Sequence, residues 1–222
     1  MKLSNEDGLE KTKSLPQLPT KEEIEKLWGE FGLTEGIKNH IKGVTKVATF
    51  LAKKLNEKGE DINVELVEKS ALLHDLARAC DFKDFSANHK SHDKPNESQL
   101  KIWKRLKEKY FPLHHSDAAC EFLKERYPEL STIVRKHKFS GIGTEDAPKT
   151  WEEKLVHYSD KRVAHDQIVT IQGRQSEALE RYPEHKKHLK QSDKFSKLEE
   201  LEKEIFSRLD FKPEDLKEVI KE

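Results

Sequence analysis

The sequence predicts an all-α chain, and three observations predict it. Apolar residues recur at intervals of three and four in one segment after another, the period of a helix with one buried face. No segment alternates apolar and polar residues as a half-buried strand does. Helix-start signatures stand at Thr20 with Glu23 and at Thr150 with Glu153, each a hydroxyl followed three residues on by a carboxylate that can complete a capping box.

The elements follow in order. Residues 1–20 are polar, with Pro16 and Pro19 late, and read as a flexible arm. A helix from Thr20 to about Phe31 carries Ile24, Leu27, Trp28 and Phe31 on one face, and Gly32 stops it. A longer one runs from Thr34 or Gly36 to about Lys58, with Ile37, His40, Ile41, Val44, Val47, Ala48, Leu51 and Leu55 as its buried stripe. Gly59 follows in the position that favours a left-handed backbone. Asn63 to Ala79 is apolar nearly all round and is expected to be central. Residues 80–99 are polar and irregular, the composition of a lid or an insertion. Helices are then expected over Leu100–Tyr110, Leu113–Arg126 and Pro128–Lys138. Gly141 and Gly143 make a loop, and a further helix runs from Thr150 through Val163. From Gln175 the chain is charged, and Leu198, Leu201, Ile205, Leu209, Leu216 and Ile220 form a thin stripe. The organisation expected is an arm (1–20), a helical domain (21–182) and a charged helical tail (183–222). The tail packs on the domain or on a partner subunit, which would make a homodimer.

Composition excludes several function classes. Lys plus Arg and Asp plus Glu both number 42 in 222 residues, so the formal net charge is zero. No global basic field exists to hold a nucleic acid polymer. Charged residues make up 38% against a norm of ~25%, and hydrophobic residues only 34%, so a lean core lies under a heavily ionic surface. Three Trp and ten Phe still argue against a fully disordered chain. No apolar run is long enough for a membrane span, and residues 1–20 lack the apolar region of a secretory signal. Cys80 and Cys120 stand among apolar neighbours in no C-x-x-C pattern and read as buried free thiols. A cytoplasmic protein is expected.

The informative residues are His40, His74, Asp75, His115, His137 and Asp160, spread on or near five expected helices. Helices of a bundle can each aim one imidazole or carboxylate into a shared centre. His74-Asp75 lies in the most apolar stretch, where a carboxylate without a partner costs several kcal/mol. Adjacent residues on a helix do not face each other, so a simple His-Asp pair is a poor account and metal ligation a better one. His40 shares a face with Ile37, Val44 and Val47. Asp160 has Val156 and Val163 on its face, although an ion pair with Lys161 or Arg162 is an alternative. His89, His92 and Asp93 form a second cluster in a polar loop, where solvation is favoured over metal binding.

The order His40, His74-Asp75, Asp160 on successive helices resembles the HD superfamily of metal-dependent phosphohydrolases, over about residues 35–170. The apolar run into His74-Asp75 followed by Leu76-Ala77-Arg78 is similar too. The resemblance implies an HD-domain helical bundle with a peripheral C-terminal tail. Two-metal members carry two further histidines between the doublet and the last Asp. Here His115, in His-Ser-Asp-Ala-Ala, and His137 fit those places, with His114 the alternative to His115. The resemblance thus implies His40, His74, Asp75 and Asp160 around one metal, with Asp75 bridging to a second held by His115 and His137. Imidazole and carboxylate suit Mn, Fe, Ni, Co or Zn better than Mg.

The implied reaction is attack of a metal-activated hydroxide on phosphorus, with Asp75 and Arg78 in catalytic roles. Arg78, Lys138, Lys161 and Arg162 are the expected phosphate-binding cations, Arg78 first because it lies one turn after His74 and offers a bidentate fork. Some nucleotidases of the superfamily place an acidic residue where Arg78 stands. That departure points away from nucleoside monophosphate hydrolysis by their route. The resemblance suggests a nucleotide or another small phosphorylated compound as substrate, a dinucleoside polyphosphate or nucleotide anhydride first. The alternative is a non-catalytic nucleotide-binding or regulatory module of the same fold.

Overall fold

The computed structural model describes residues 18–82, 85, 94–181 and 193–221. The clustered His89, His92 and Asp93 and most of the N-terminal arm lie outside them. The regular secondary structure of the described residues is helical, apart from one small hairpin.

Helix α1 (Lys21–Glu30) starts on the expected capping box. In α2 (Glu35–Glu57) the expected stripe is buried from Ile37 to Leu55. Two indoles tie the first turn of chain to its neighbours. Trp28 Nε1 donates to the Leu72 carbonyl at 3.0 Å, and Trp103 Nε1 to that of Gly32 at 2.9 Å. Gly32 takes φ +64° and Gly59 φ +94°, the left-handed conformation that ends a helix cheaply only at glycine.

Helix α3 (Val64–Leu73) is central, packed on α2, but it is shorter than periodicity suggests. At Leu73 the chain tightens into i→i+3 turns: Leu76 N donates to Leu73 O and Arg78 N to Asp75 O. A 3₁₀ turn over Arg78–Asp81 follows. The apolar residues Leu76, Ala77, Ala79 and Cys80 stay buried through this change of winding, so the hydrophobic pattern conceals it. The His74-Asp75 doublet therefore stands at a helix end rather than inside a helix.

Helix α4 (Glu97–Tyr110) begins earlier than expected, on a capping box of Asn96 and Gln99. Next come α5 (His115–Leu123), α6 (Pro128–Lys136), a 3₁₀ turn over Phe139–Gly141, and α7 (Trp151–Lys161), which opens on the expected Thr150–Glu153 box. Helix α2 packs on α3 and α7, α5 on α6, and α3 also on α6 and α7. Cys80 is buried and Cys120 only partly, and both thiols are free.

The hairpin was not foreseen. Strand β1 (Val163–Ala164) pairs antiparallel with β2 (Gln167–Ile168) through a two-residue turn in which His165 takes φ 58°. Strands of two residues leave no alternation to read. The hairpin lies against α2, where a Cβ on Gly43 would come within 3.2 Å of Val163.

The tail stripe is buried within the chain itself. After α8 (Ile171–Arg181), helix α9 (Lys194–Phe206) buries Phe195, Leu198, Leu201 and Ile205 against α7 and α8, and the short α10 (Leu216–Val219) buries Leu216. This packing corrects the expected role of Arg162. Its side chain is 2% exposed, with Nε donating to Val169 O at 2.6 Å, Nη1 to Glu202 at 2.8 Å and to the Tyr158 hydroxyl, and Nη2 to Pro213 O at 2.8 Å. Four of its five N–H groups are used within the protein, two of them on Glu202 and Pro213 of the tail, so this buried side chain fastens the tail rather than facing a substrate phosphate. No helix among the described residues is long and apolar enough to cross a membrane.

Two predictions follow from this packing. Removing one partner of a buried ion pair leaves the other charge uncompensated. Glu202→Ala, which removes the carboxylate partner of Arg162 and the acceptor of the Tyr158 hydroxyl, is expected to cost about 3–5 kcal/mol in chemical denaturation; a loss below about 0.5 kcal/mol would place the tail's anchorage elsewhere. His157 on α7 is fully buried, its Nδ1 donating to Lys136 O at 3.0 Å and its Nε2 without a partner among the described residues. Burial, aided by Lys161, pushes its pKa down from 6.5 to about 3. The unfolded chain then binds one more proton than the folded one between those values, so stability falls with acidification. Relative to His157→Gln, the wild type should lose up to about 1.4 kcal/mol per pH unit from pH 6.5 downward. Parallel stability curves for the two proteins would contradict this.

Candidate metal centre

Five helices bring the candidate ligands together, four of them at or near their ends. His40 comes from the second turn of α2, His74 and Asp75 from the end of α3, and His115 from the first residue of α5. His137 caps the end of α6, and Asp160 lies in the last turn of α7. All six are buried.

Asp75 stands at the middle. Its Oδ2 lies 3.9 Å from His40 Nε2 and 3.7 Å from His74 Nε2. Its Oδ1 faces the other way, 3.0 Å from His115 Nε2 and 3.8 Å from His137 Nε2. Asp160 completes the first side: its Oδ1 is 3.0 Å from His40 Nε2 and 3.7 Å from His74 Nε2. The donor atoms of His40, His74 and Asp75 lie within 4.8 Å of one another, as do those of Asp75, His115 and His137. Asp75 is common to both sets.

The far sides of the rings explain why this arrangement suits a cation. His40 Nδ1 donates to His165 O at 3.0 Å, His74 Nδ1 to Ala71 O at 2.8 Å, and His137 Nδ1 to Val134 O at 2.5 Å. A carbonyl only accepts, so each of these Nδ1 atoms carries its proton. In the neutral ring, Nε2 is then a bare lone pair. Those lone pairs converge on carboxylate oxygens and on one another: His115 Nε2 and His137 Nε2 are 3.1 Å apart. His74 Nε2 is buried and makes no hydrogen bond among the described residues. Acceptors facing acceptors repel unless something positive lies among them, a proton or a metal ion. The left-handed turn residue His165 thus has a use, since its carbonyl orients the His40 ring.

The electrostatics agree. Burial alone raises the pKa of Asp75, yet His74, His115 and Arg78 hold it well below the usual carboxylate range. Burial likewise opposes ionisation of Asp160, and Lys161, His40 and His74 outweigh it. Burial lowers His74, but Asp75 and Asp160 raise it above its ordinary value. His137 is held well below its ordinary value by burial and by the neighbouring His74 and His115. Two ionised carboxylates among four imidazoles form a nitrogen- and oxygen-rich centre that suits transition metals.

The other expected site residues divide. Arg78 reaches the centre: its Nε is 3.9 Å from Asp75 Oδ2 and its Nη1 donates to Asp81 Oδ1 at 2.8 Å, with the guanidinium over the Phe82 ring. Lys161 is buried, bonded to the Asp160 carboxylate and donating to His137 O at 3.0 Å. The Asp160–Lys161 ion pair weighed from the sequence therefore exists, but inside the centre rather than at the surface. Lys138 is partly exposed, and its Nζ is paired with Asp117 Oδ2 at 2.6 Å. Of the two adjacent histidines, His115 joins the cluster. His114 is the N-cap of α5 and accepts from Ser116 N through Nδ1. Burial and the neighbouring His115 push its pKa down to about 3.

Asp81 escaped the sequence reading. Its Oδ2 accepts from His115 Nδ1 at 2.7 Å and from His115 N at 3.2 Å. With His114 and His115 it forms a third close group of potential ligands. The only signal in the sequence was a carboxylate one to two turns beyond the doublet, in a segment too polar to stand out.

Comparison with protein families matches the HD domain over residues 37–165. No curated protein and no solved structure matches the chain. HD domains bind divalent metals, and the matched span, more than half of the chain, runs from the start of α2 to the hairpin turn and contains all six clustered residues. On that match and on the His40, His74-Asp75, Asp160 geometry, the chain belongs to the HD-domain family.

Proposed function

We propose that this protein is a metal-dependent phosphohydrolase acting on a small phosphorylated compound. The observation that carries the reading is the position of Asp75, whose two carboxylate oxygens each face a separate pair of imidazoles. His40, His74, Asp75 and Asp160 would hold one divalent ion, and Asp75, His115 and His137 a second. The donor set favours Mn, Fe, Ni, Co or Zn. Such ions supply Lewis acidity toward phosphoryl oxygen and acidify water at neutral pH.

The chain's own residues do the rest. The carbonyls of residues 165, 71 and 134 keep Nε2 of His40, His74 and His137 turned inward. Burial excludes bulk water and strengthens every charge interaction in the centre. Arg78, on the Asp75 side, is placed to bind and orient phosphate oxygens, and Arg fits them with two parallel bonds. Lys161 lies beside Asp160 as a second cation within the centre. Lys138 stands at the partly exposed edge near His137, where exchange of Asp117 for a phosphate would let it contribute. A nucleotide is the proposed substrate, a dinucleoside polyphosphate or nucleotide anhydride first.

The test is metal analysis followed by phosphate release across nucleotides with added manganese. Asp75→Ala is expected to abolish metal-dependent release while leaving helical circular dichroism nearly unchanged. Lys203→Ala, in the tail, should change neither. Arg78→Ala removes a charge-assisted contact of about 1.5–3 kcal/mol, so KM should rise by roughly 10–100-fold. Retained activity in Asp75→Ala would exclude the proposed centre. Metal binding without release from any phosphate compound would favour a regulatory module of the same fold.

A further inference from the structure

We infer that Asp81 is a positioning residue that selects the metal-binding tautomer of His115. The inference rests on the two-ion reading of the centre. His115 differs from the other three clustered histidines in one respect. Their Nδ1 atoms face carbonyls, which permit a single tautomer. His115 Nδ1 faces two groups of opposite kind: Asp81 Oδ2 at 2.7 Å, which can only accept, and Arg78 Nη1 at 3.1 Å, which can only donate.

Each partner would choose a different tautomer. If Nδ1 accepts from Arg78, the ring proton sits on Nε2 and is donated to Asp75 Oδ1, 3.0 Å away. In that state His115 has no lone pair for a cation, and one oxygen of Asp75 is occupied. If Nδ1 instead donates to Asp81, Nε2 is bare and points at the centre beside His137 Nε2. Asp81 favours the second state. Its Oδ2, at 2.7 Å, is closer to Nδ1 than Arg78 Nη1 is at 3.1 Å and accepts the Nδ1 proton. Its Oδ1 accepts from one of the two N–H groups of Arg78 Nη1 at 2.8 Å and draws the guanidinium toward itself. The backbone N–H of His115 donates to the same Oδ2 at 3.2 Å and fixes the carboxylate against the start of α5. One side chain thus holds a ligand and the leading phosphate-binding cation in mutually compatible states.

An amide cannot do both. Asn at position 81 has one oxygen and one NH₂, so either Arg78 or His115 Nδ1 meets a donor. Outer-shell partners of this kind are typically worth 10–100-fold in metal affinity. The experiment is isothermal titration of the full-length, metal-stripped chain with manganese, for wild type, Asp81→Asn and Asp81→Glu. Two ions are expected to bind the wild type. In Asp81→Asn one of the two should weaken 10–100-fold while the other, on the His40 side, is unchanged. Asp81→Glu, which keeps two acceptor oxygens, should recover part of the loss and serves in its place if the Asn variant does not fold. Two ions bound by Asp81→Asn with wild-type affinities would overturn the role of Asp81 and leave the two-ion reading standing. A wild type that binds only one ion would overturn both.

Discussion

The rest of the structure depends on one buried carboxylate. Asp75 is 6% exposed, and a lone carboxylate in such a place would be protonated or would unfold its surroundings. It stays ionised because positive charge at His74, His115 and Arg78 outweighs the cost of its burial. This requirement reaches through the fold. Its imidazole partners come from α2, the end of α3, α5 and α6, and Asp160 from α7 shares two of them, His40 and His74. A displacement of any of these helices by one turn, about 5.4 Å, would strand a charge. The helices are held in register by apolar packing, while the polar centre determines which register is tolerable. Conformational specificity from a polar centre is a plausible use of buried charge, although such charge adds little stability by itself.

The periphery serves the same end. The hairpin after α7 turns His165 into a left-handed conformation and delivers its carbonyl to His40. The tail fastens the end of α7, through Arg162 and Glu202, two residues beyond Asp160. Neither element touches the centre with a ligand, yet each fixes the orientation of one.

Much of this was legible in the sequence, for definable reasons. The stripe of α2 placed His40 among Ile37, Val44 and Val47, and the structure buries all four. The capping boxes at Thr20 and Thr150 set two helix starts correctly because the signature is local. Adjacency on a helix made a simple His74–Asp75 pair the weaker reading, and the two side chains do serve a wider cluster. What failed was what distance along the chain conceals. Arg162 was read as a phosphate ligand because it stands next to Asp160, with a solvated surface charge as the other reading. Its burial depends on Glu202 and Pro213, whose approach no periodicity records. Asp81 bonds to a residue 34 positions away and sits in a polar stretch that offered no contrast. The end of α3 at Leu73 was invisible because the tightened turns bury the same apolar residues a helix would have buried.

The central claim is that Asp75 serves two cations at once. Anomalous diffraction at the manganese edge, from crystals grown with that metal, tests it most directly. Two peaks are expected, one among His40, His74, Asp75 and Asp160 and the other among Asp75, His115 and His137. Peaks elsewhere, or none at either oxygen of Asp75, would contradict the account.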